Sequence, residues 1–291
     1  TNNYADMGVG YQYADQITIE SITGKNSEII KPRAIKSREM QQQRSREMAE
    51  VFTPSWICNK QNNLVDNAWF GRENVFNAEV DNPDGTHSWI PSEGKITFPE
   101  GKTWRDYINE NRLEITCGEA PYLVSRYDSV IGKPIPVERR IGLLDRKLRV
   151  VGENTGTTGE WLKAAQSAYK SIYGYEWQGD NLVLAREALL YTFIDYYKVK
   201  FGCEPQLKSL QYIADIISWN IWQMDGLKCV VPDSCRTIRT TVQNLFDSTE
   251  TIQECEGCQR DNMHKHNGVY CTIKDWNKDR VVTFVSLLKQ K

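Results

Sequence analysis

The chain has 291 residues, Lys+Arg 36 against Asp+Glu 38 for a net charge of −2, and 40% hydrophobic residues. This is the balance of a globular protein with a sizeable core, and it excludes a disordered or fibrous chain and a global basic field that would attract nucleic acid. No apolar stretch approaches a bilayer span, and Thr1-Asn2-Asn3-Tyr4-Ala5-Asp6 opens neither basic nor apolar, so the expectation is a cytoplasmic protein without secretion signal or membrane partner.

Residues 1–50 read as an N-terminal helical arm. Glycines at 8, 10 and 24 punctuate its start, and residues 25–50 carry seven basic and four acidic side chains, which suits a solvated helix or a phosphate-contacting arm. At Val51-Phe52-Thr53-Pro54 the character changes: Thr53 is placed to cap a helix beginning at Pro54, with Ile57, Leu64, Val65, Ala68 and Trp69 as its apolar face. Turn residues such as Asn82-Pro83-Asp84-Gly85 make 71–105 an irregular excursion. A strand is predicted over 113–116, followed by the Cys117-Gly118-Glu119-Ala120 turn and a helix start at Tyr122. Helices over 161–172, 181–200 and 210–218 alternate with strands over 172–177 and 220–225. This alternation predicts an α/β protein whose parallel sheet is flanked by helices. The chain divides into the arm (1–50), a central domain (51–235) and a C-terminal segment (236–291).

In an open parallel sheet, ligands sit beyond the carboxyl ends of the strands. Those ends carry Glu114 with the Gly118 turn, Glu176 followed by Trp177, and Asp225. A carboxylate after a second strand suits a ribose diol and a neighbouring aromatic suits a purine face, so the pattern points to a nucleoside-containing ligand.

Glu50-Val51-Phe52-Thr53-Pro54, Leu113-Glu114-Ile115-Thr116-Cys117-Gly118-Glu119-Ala120, Tyr173-Gly174-Tyr175-Glu176 and Asn220-Ile221-Trp222-Gln223-Met224-Asp225 follow one another along the chain. In this order they resemble the cofactor motifs of bacterial adenine-specific DNA methyltransferases from restriction–modification systems, over about residues 46–235. The resemblance implies a Rossmann-like, S-adenosylmethionine-dependent methyltransferase sheet. Phe52, Thr53 and Pro54 would border the methionine end of the cofactor, and Glu114, Cys117 and Gly118 would form the turn beneath its amino-acid part. Glu176 would hold the ribose, Trp177 would pack on the adenine, and Asp225 would accept from its amine. Two departures stand out. Ala120-Pro121 follows where the family has a second glycine, and the chain has no Pro-Pro pair, the motif that builds the family's adenine pocket. The segment 280–288 resembles at most the approach to a fourth strand, so the sheet is expected to be incomplete. The implied function is a cofactor-binding subunit that needs a second methyltransferase chain or restriction subunit, with DNA as a further partner. The alternative is a non-catalytic scaffold, derived from such an enzyme, that binds DNA or a partner.

Cys255-x-x-Cys258, His264, His266 and Cys271 concentrate three of the eight cysteines and two of the three histidines within seventeen residues. Two thiolates on a tight turn with a later His and Cys make a tetrahedral zinc site, so Cys255, Cys258, His266 and Cys271 are the expected ligands, with His264 as the alternative nitrogen donor. Four protein ligands leave no open position, which makes the metal structural and leaves the chain with no assigned catalytic residue. Cysteines 58, 117, 203, 229 and 235 read as reduced thiols, mostly small buried hydrophobes. Residues 133–149, with six basic and two acidic side chains, read either as a phosphate-facing patch or as a solvated loop and helix.

Overall fold

A computed structural model describes residues 2–243 and 248–288. Residues 244–247 and 289–291 of the 236–291 segment fall outside the described residues. In chain order the elements are α1 (Ile19–Ile22), α2 (Arg38–Met48), α3 (Ser55–Phe70), β1 (Asn77–Asp81), β2 (His87–Pro91), α4 (Trp104–Asn109), β3 (Arg112–Glu114), α5 (Leu143–Asn154) and α6 (Thr158–Lys170). There follow β4 (Ile172–Glu176), α7 (Gly179–Phe201), α8 (Leu207–Asn220), β5 (Ile221–Gln223), β6 (Ile238–Gln243), β7 (Ser248–Gln253), α9 (Glu256–Arg260), β8 (Thr272–Asp275) and β9 (Arg280–Thr283).

The sheet at the centre is parallel and three-stranded, in the order β3-β4-β5, with Leu113 opposite Tyr173 and Tyr175 opposite Trp222. Its helices form where apolar residues recur at helical spacing. On α6, Trp161, Ala165, Ala168 and Tyr169 face inward, and Thr157 with Glu160 closes a capping box at its start. With Leu144 and Leu148 of α5, Phe193 of α7 and Ile216 and Ile217 of α8 they make the main core. A smaller cluster, built from Tyr175, Trp222, Met224, Cys229, Cys271, Ile273 and Val285, joins the sheet to the C-terminal segment. No helix of the described residues is long and apolar enough to cross a membrane.

Several expectations are corrected. The helix expected from Pro54 starts at Ser55, with Pro54 as its N-cap, and although Trp69 packs against the main core, the middle of its expected apolar face is turned outward. Leu64 is 64% exposed and Val65 41% exposed, whereas Asn59, Asn62, Asn63 and Asp66 are buried. The polar face turns inward because each of its groups has a partner there. Arg146 of α5 donates to Asp66 Oδ2 (2.6 Å), Asn63 Oδ1 (2.7 Å) and Asn59 Oδ1 (2.9 Å), while Asn62 donates to the carbonyls of Tyr122 and Ile141. Residues 77–91 of the irregular excursion are an antiparallel hairpin. No helix starts at Tyr122: the Tyr122 and Leu123 amides donate to Glu114, and the next α-helix begins at Leu143. The terminal segment expected to approach a fourth parallel strand pairs as β9 antiparallel with β8, in a sheet of its own.

The basic stretch 133–149 is largely internal. Arg140 pairs with Asp195, Arg146 with Asp66 and Arg149 with Glu153, and Lys147 is buried against the Ile108 and Glu110 carbonyls and Ser171 Oγ. Lys133 and Arg139 remain exposed. The arm is likewise tied down. Arg44 of α2 is fully buried between Glu50 and Asp180 of α7, Asn181 bridges to Glu50, and the Tyr4 hydroxyl donates to Asp180 (3.0 Å).

Candidate functional site

Three motifs distant in sequence converge at the carboxyl edge of the sheet. After β3 the backbone turns through three left-handed residues, Thr116 (φ 48°), Gly118 (φ 54°) and Ala120 (φ 62°). Ala120 therefore holds a conformation suited to glycine, at the position where the sequence departs from the glycine-rich pattern. The Phe52 ring lies against Gly118, where an added Cβ would stand 3.4 Å from it, and Arg33 lies over the same ring. Thr53 and Pro54 serve the backbone: the Thr53 carbonyl accepts from Ser129 Oγ (2.8 Å), and Pro54 caps α3.

Glu176, at the end of β4, spans the turn. Its Oε2 accepts from the Gly118 amide (2.8 Å) and its Oε1 from the Gln178 amide (3.0 Å). Burial pushes its carboxyl above the usual range, against the pull of those amides. Glu114 is turned inward onto the Tyr122 and Leu123 amides, and burial, helped by the nearby Glu176 charge, raises it well above the ordinary value. Cys117 is buried beneath the turn, and burial likewise lifts its thiol. Asp225 lies past β5, 4% exposed, its Oδ1 accepting from the Leu227 and Lys228 amides and its Oδ2 3.6 Å from Lys228 Nζ. All three strand-end acids are thus bonded to the protein's own groups.

Trp177 is half-buried beside Tyr13, whose hydroxyl donates to Asp233 (2.6 Å). Ile17 packs over Gly179, where a Cβ would meet its Cδ1 at 3.2 Å. The arm therefore lies across the tips of β4 and β5. Sequence reasoning brought Phe52, Gly118 and Glu176 to one place but gave no signal for this cover, because Tyr13 and Ile17 sit among turn residues without periodicity.

The set that could ligate a metal is Cys235, Cys255, Cys258 and His266, whose ligand atoms all lie within 4.8 Å of one another. His266 Nδ1 stands 3.5 Å from Cys235 Sγ, 3.5 Å from Cys255 Sγ and 3.6 Å from Cys258 Sγ. Zinc–sulfur and zinc–nitrogen bonds of about 2.3 and 2.0 Å at a tetrahedral angle span about 3.5 Å, so the imidazole already occupies the fourth corner over three sulfurs. The cluster could hold a metal ion, and three thiols with one imidazole suit zinc. Hydrogen bonds order these donors. The Asn267 amide donates to Cys255 Sγ (3.3 Å), and the His266 amide donates to the Tyr270 hydroxyl (2.9 Å). Burial and the neighbouring thiols push Cys235 up to about 11. Cys255 is held down at about 6: burial raises it, and the Asn267 and Cys258 amides with His266 and Cys235 outweigh that effect. Gly257 gives the Cys-x-x-Cys turn room, since a Cβ there would meet His266 Nδ1 at 2.6 Å.

Cys271, expected as the fourth ligand, is corrected to Cys235. Cys271 Sγ donates to the Gln223 carbonyl (3.2 Å) inside the smaller apolar cluster, and burial pushes its thiol up to about 12. The alternative donor His264 stands outside the metal-ligating set. Cys235 arrives because the β6–β7 hairpin returns the chain and Asn267 clamps Arg236 through two hydrogen bonds (3.1 and 2.7 Å). Of the other cysteines read as reduced thiols, 58, 117 and 229 are buried and Cys203 is exposed.

Comparison with protein-family models, with curated proteins and with solved structures finds no match for this chain.

Proposed function

We propose that the chain is a cofactor-binding component of a DNA adenine methyltransferase, built on a Rossmann-like sheet. It would take S-adenosylmethionine at the carboxyl edge of that sheet and depend on a second chain for the adenine pocket and for target reading. One observation carries this reading: Phe52, the Gly118 turn and Glu176, from three separate motifs, meet at a single edge. In this assignment Gly118 and Phe52 flank the amino-acid part of the cofactor, and Glu176 exchanges an amide partner for the ribose hydroxyls. Trp177 meets the purine once Tyr13 has moved aside. Zinc at Cys235, Cys255, Cys258 and His266 is structural, fixing the loop after β5 that carries Asp225.

A second reading, a non-catalytic scaffold derived from such an enzyme, is favoured by the acids themselves, since Glu114, Glu176 and Asp225 are buried and already satisfied by backbone amides. Calorimetric titration of the full chain with S-adenosylmethionine separates the two. The cofactor reading expects saturable heat that Glu176→Gln weakens, and no methyl transfer to DNA by the chain alone. Absence of heat and of any thermal shift leaves the scaffold, and unaided methylation of DNA removes the need for a second chain.

A further inference from the structure

The parallel sheet stops at β3. This is its first strand along the chain, yet it stands at one side of the order β3-β4-β5, and the other described strands pair only within their own two-stranded sheets. In a parallel ladder, alternate residues bond to opposite sides. Arg112 turns its amide toward β4, onto the Ser171 carbonyl (2.8 Å), so Leu113 and Ile115 turn theirs the other way, where no strand stands among the described residues. Their side chains are bare as well, Leu113 46% and Ile115 62% exposed.

α3 runs along this open edge. Trp69 Nε1 donates to Glu110 (3.4 Å) just before β3, and Asn62 donates to the carbonyl of Tyr122, whose amide donates to Glu114 (3.4 Å) at the strand's end. Residues 62, 65 and 69 form one row on a helix, so Val65, 41% exposed, stands between those two anchors. On the opposite face of the sheet Leu113 lies beside Tyr173. There the C-terminal segment covers Tyr175 and Trp222 with Phe284 and leaves Leu113 bare.

These features say what fits. Strand amides without a partner call for an extended chain rather than a helix. One side of that chain meets Val65 and the other continues the Leu113 and Ile115 surface, so it is apolar on both, as strands of parallel sheets are. Its direction follows from the site. Ligands of open α/β sheets lie where the strand order reverses, whereas β3, β4 and β5 all step one way. The Gly118–Glu176 edge becomes such a crevice when a parallel strand joins the free side of β3. A second copy of this chain does not supply it, because a closed two-fold pair sets edge against edge antiparallel. We propose that the open edge of β3 docks a parallel, apolar strand of a different protein chain. The proposal deepens the reading of a component that needs a second chain, and rests on it for the strand's direction.

The probe is a synthetic peptide, Lys-Lys-Val-Ile-Val-Ile-Val-Lys-Lys, titrated into the isotope-labelled full chain and followed by amide shifts and hydrogen exchange. In the chain alone the Leu113 amide should exchange faster than that of Glu114, and a Leu113 amide already protected overturns the proposal. The peptide should bind saturably and slow Leu113 exchange by about tenfold. A nitroxide on its amino end should broaden the Glu110 amide more than that of Thr116, which is the parallel sense. Leu113→Lys and Val65→Lys, both at exposed positions, should each weaken binding about tenfold at an unchanged melting temperature, since an edge lysine opposes strand pairing. No effect at Leu113, an antiparallel peptide or binding indifferent to both variants overturns the proposal. So does a dimer in sedimentation that Leu113→Lys dissolves, because the edge then serves a second copy. S-adenosylmethionine titrated in parallel keeps this result apart from the cofactor reading: its heat should survive Leu113→Lys and fall with Glu176→Gln.

Discussion

Glu114 lies 9% exposed at the end of β3, with two backbone amides on its oxygens and Glu176 close enough to repel it. Burial dominates, so its folded-state carboxyl titrates well above the ordinary range. A carboxyl raised on folding contributes stability that is whole below its unfolded value and fades as pH rises through the folded one. Glu114→Gln cannot ionise and escapes that loss. The variant's melting temperature relative to wild type should therefore rise as the pH is raised above about 4, the unfolded carboxyl's value. A difference that stays flat above that pH, measured by calorimetry, would show that Glu114 ionises as freely in the fold as outside it. That an acid would stand at this strand end was legible in the sequence. Its inward turn was not, because the amides that hold it belong to Tyr122 and Leu123, residues that read as the start of a helix.

At the scale of elements, the reading succeeded where apolar spacing dictates the outcome. β4, α6 and α8 carry inward Ile172, Trp161 and Ile216, and their burial follows from the pattern. It failed at α3, where Leu64 and Val65 suggested the buried face and the asparagines hold it instead. Periodicity registers apolarity alone, and it had no means of knowing that Arg146, eighty residues beyond Asp66, would complete the network. Asn62 tests this arrangement. Asn62→Leu is more hydrophobic and a better helix former, yet it strips a donor from the buried carbonyls of Tyr122 and Ile141. It should destabilise the protein by about 1–3 kcal/mol in urea denaturation, the cost of one orphaned buried acceptor, since the Ile141 carbonyl loses its donor while that of Tyr122 keeps the Leu143 amide (2.8 Å). A neutral or stabilising result would mean that α3 is held by contacts other than these.

Across the whole molecule, the metal-ligating set draws Cys235, from just past the sheet, onto Cys255, Cys258 and His266 of the C-terminal segment. The loop carrying Asp225 and Lys228 runs between β5 and Cys235, with Val230 bridging to both Asp225 and Tyr270. Metal removal should therefore loosen residues on both sides of the β6–β7 hairpin together while the α5–α8 core keeps its protection in hydrogen exchange. Cys235→Ser should reproduce that loosening and lower zinc affinity by more than the roughly 10–100-fold that an outer hydrogen-bond partner is worth, whereas Cys271→Ser should retain one bound zinc per chain. If Cys271→Ser instead releases the metal, Cys271 rather than Cys235 is the fourth ligand. The Cys-x-x-Cys pair and its histidine were legible from spacing, and the remaining thiol was hidden because a hairpin, not a short loop, closes the site.

The attachment of α3 has a thermal corollary. Apolar contacts weaken as water cools, whereas hydrogen bonds such as those joining Arg146, Asp66 and the asparagines do not share that dependence. Near freezing, the apolar contacts among α6, α7 and α8 should weaken more than the polar seam between α3 and α5. That seam is then the part of the helix's attachment least weakened by cold, and the leucine and valine on its outer side play little part in holding it.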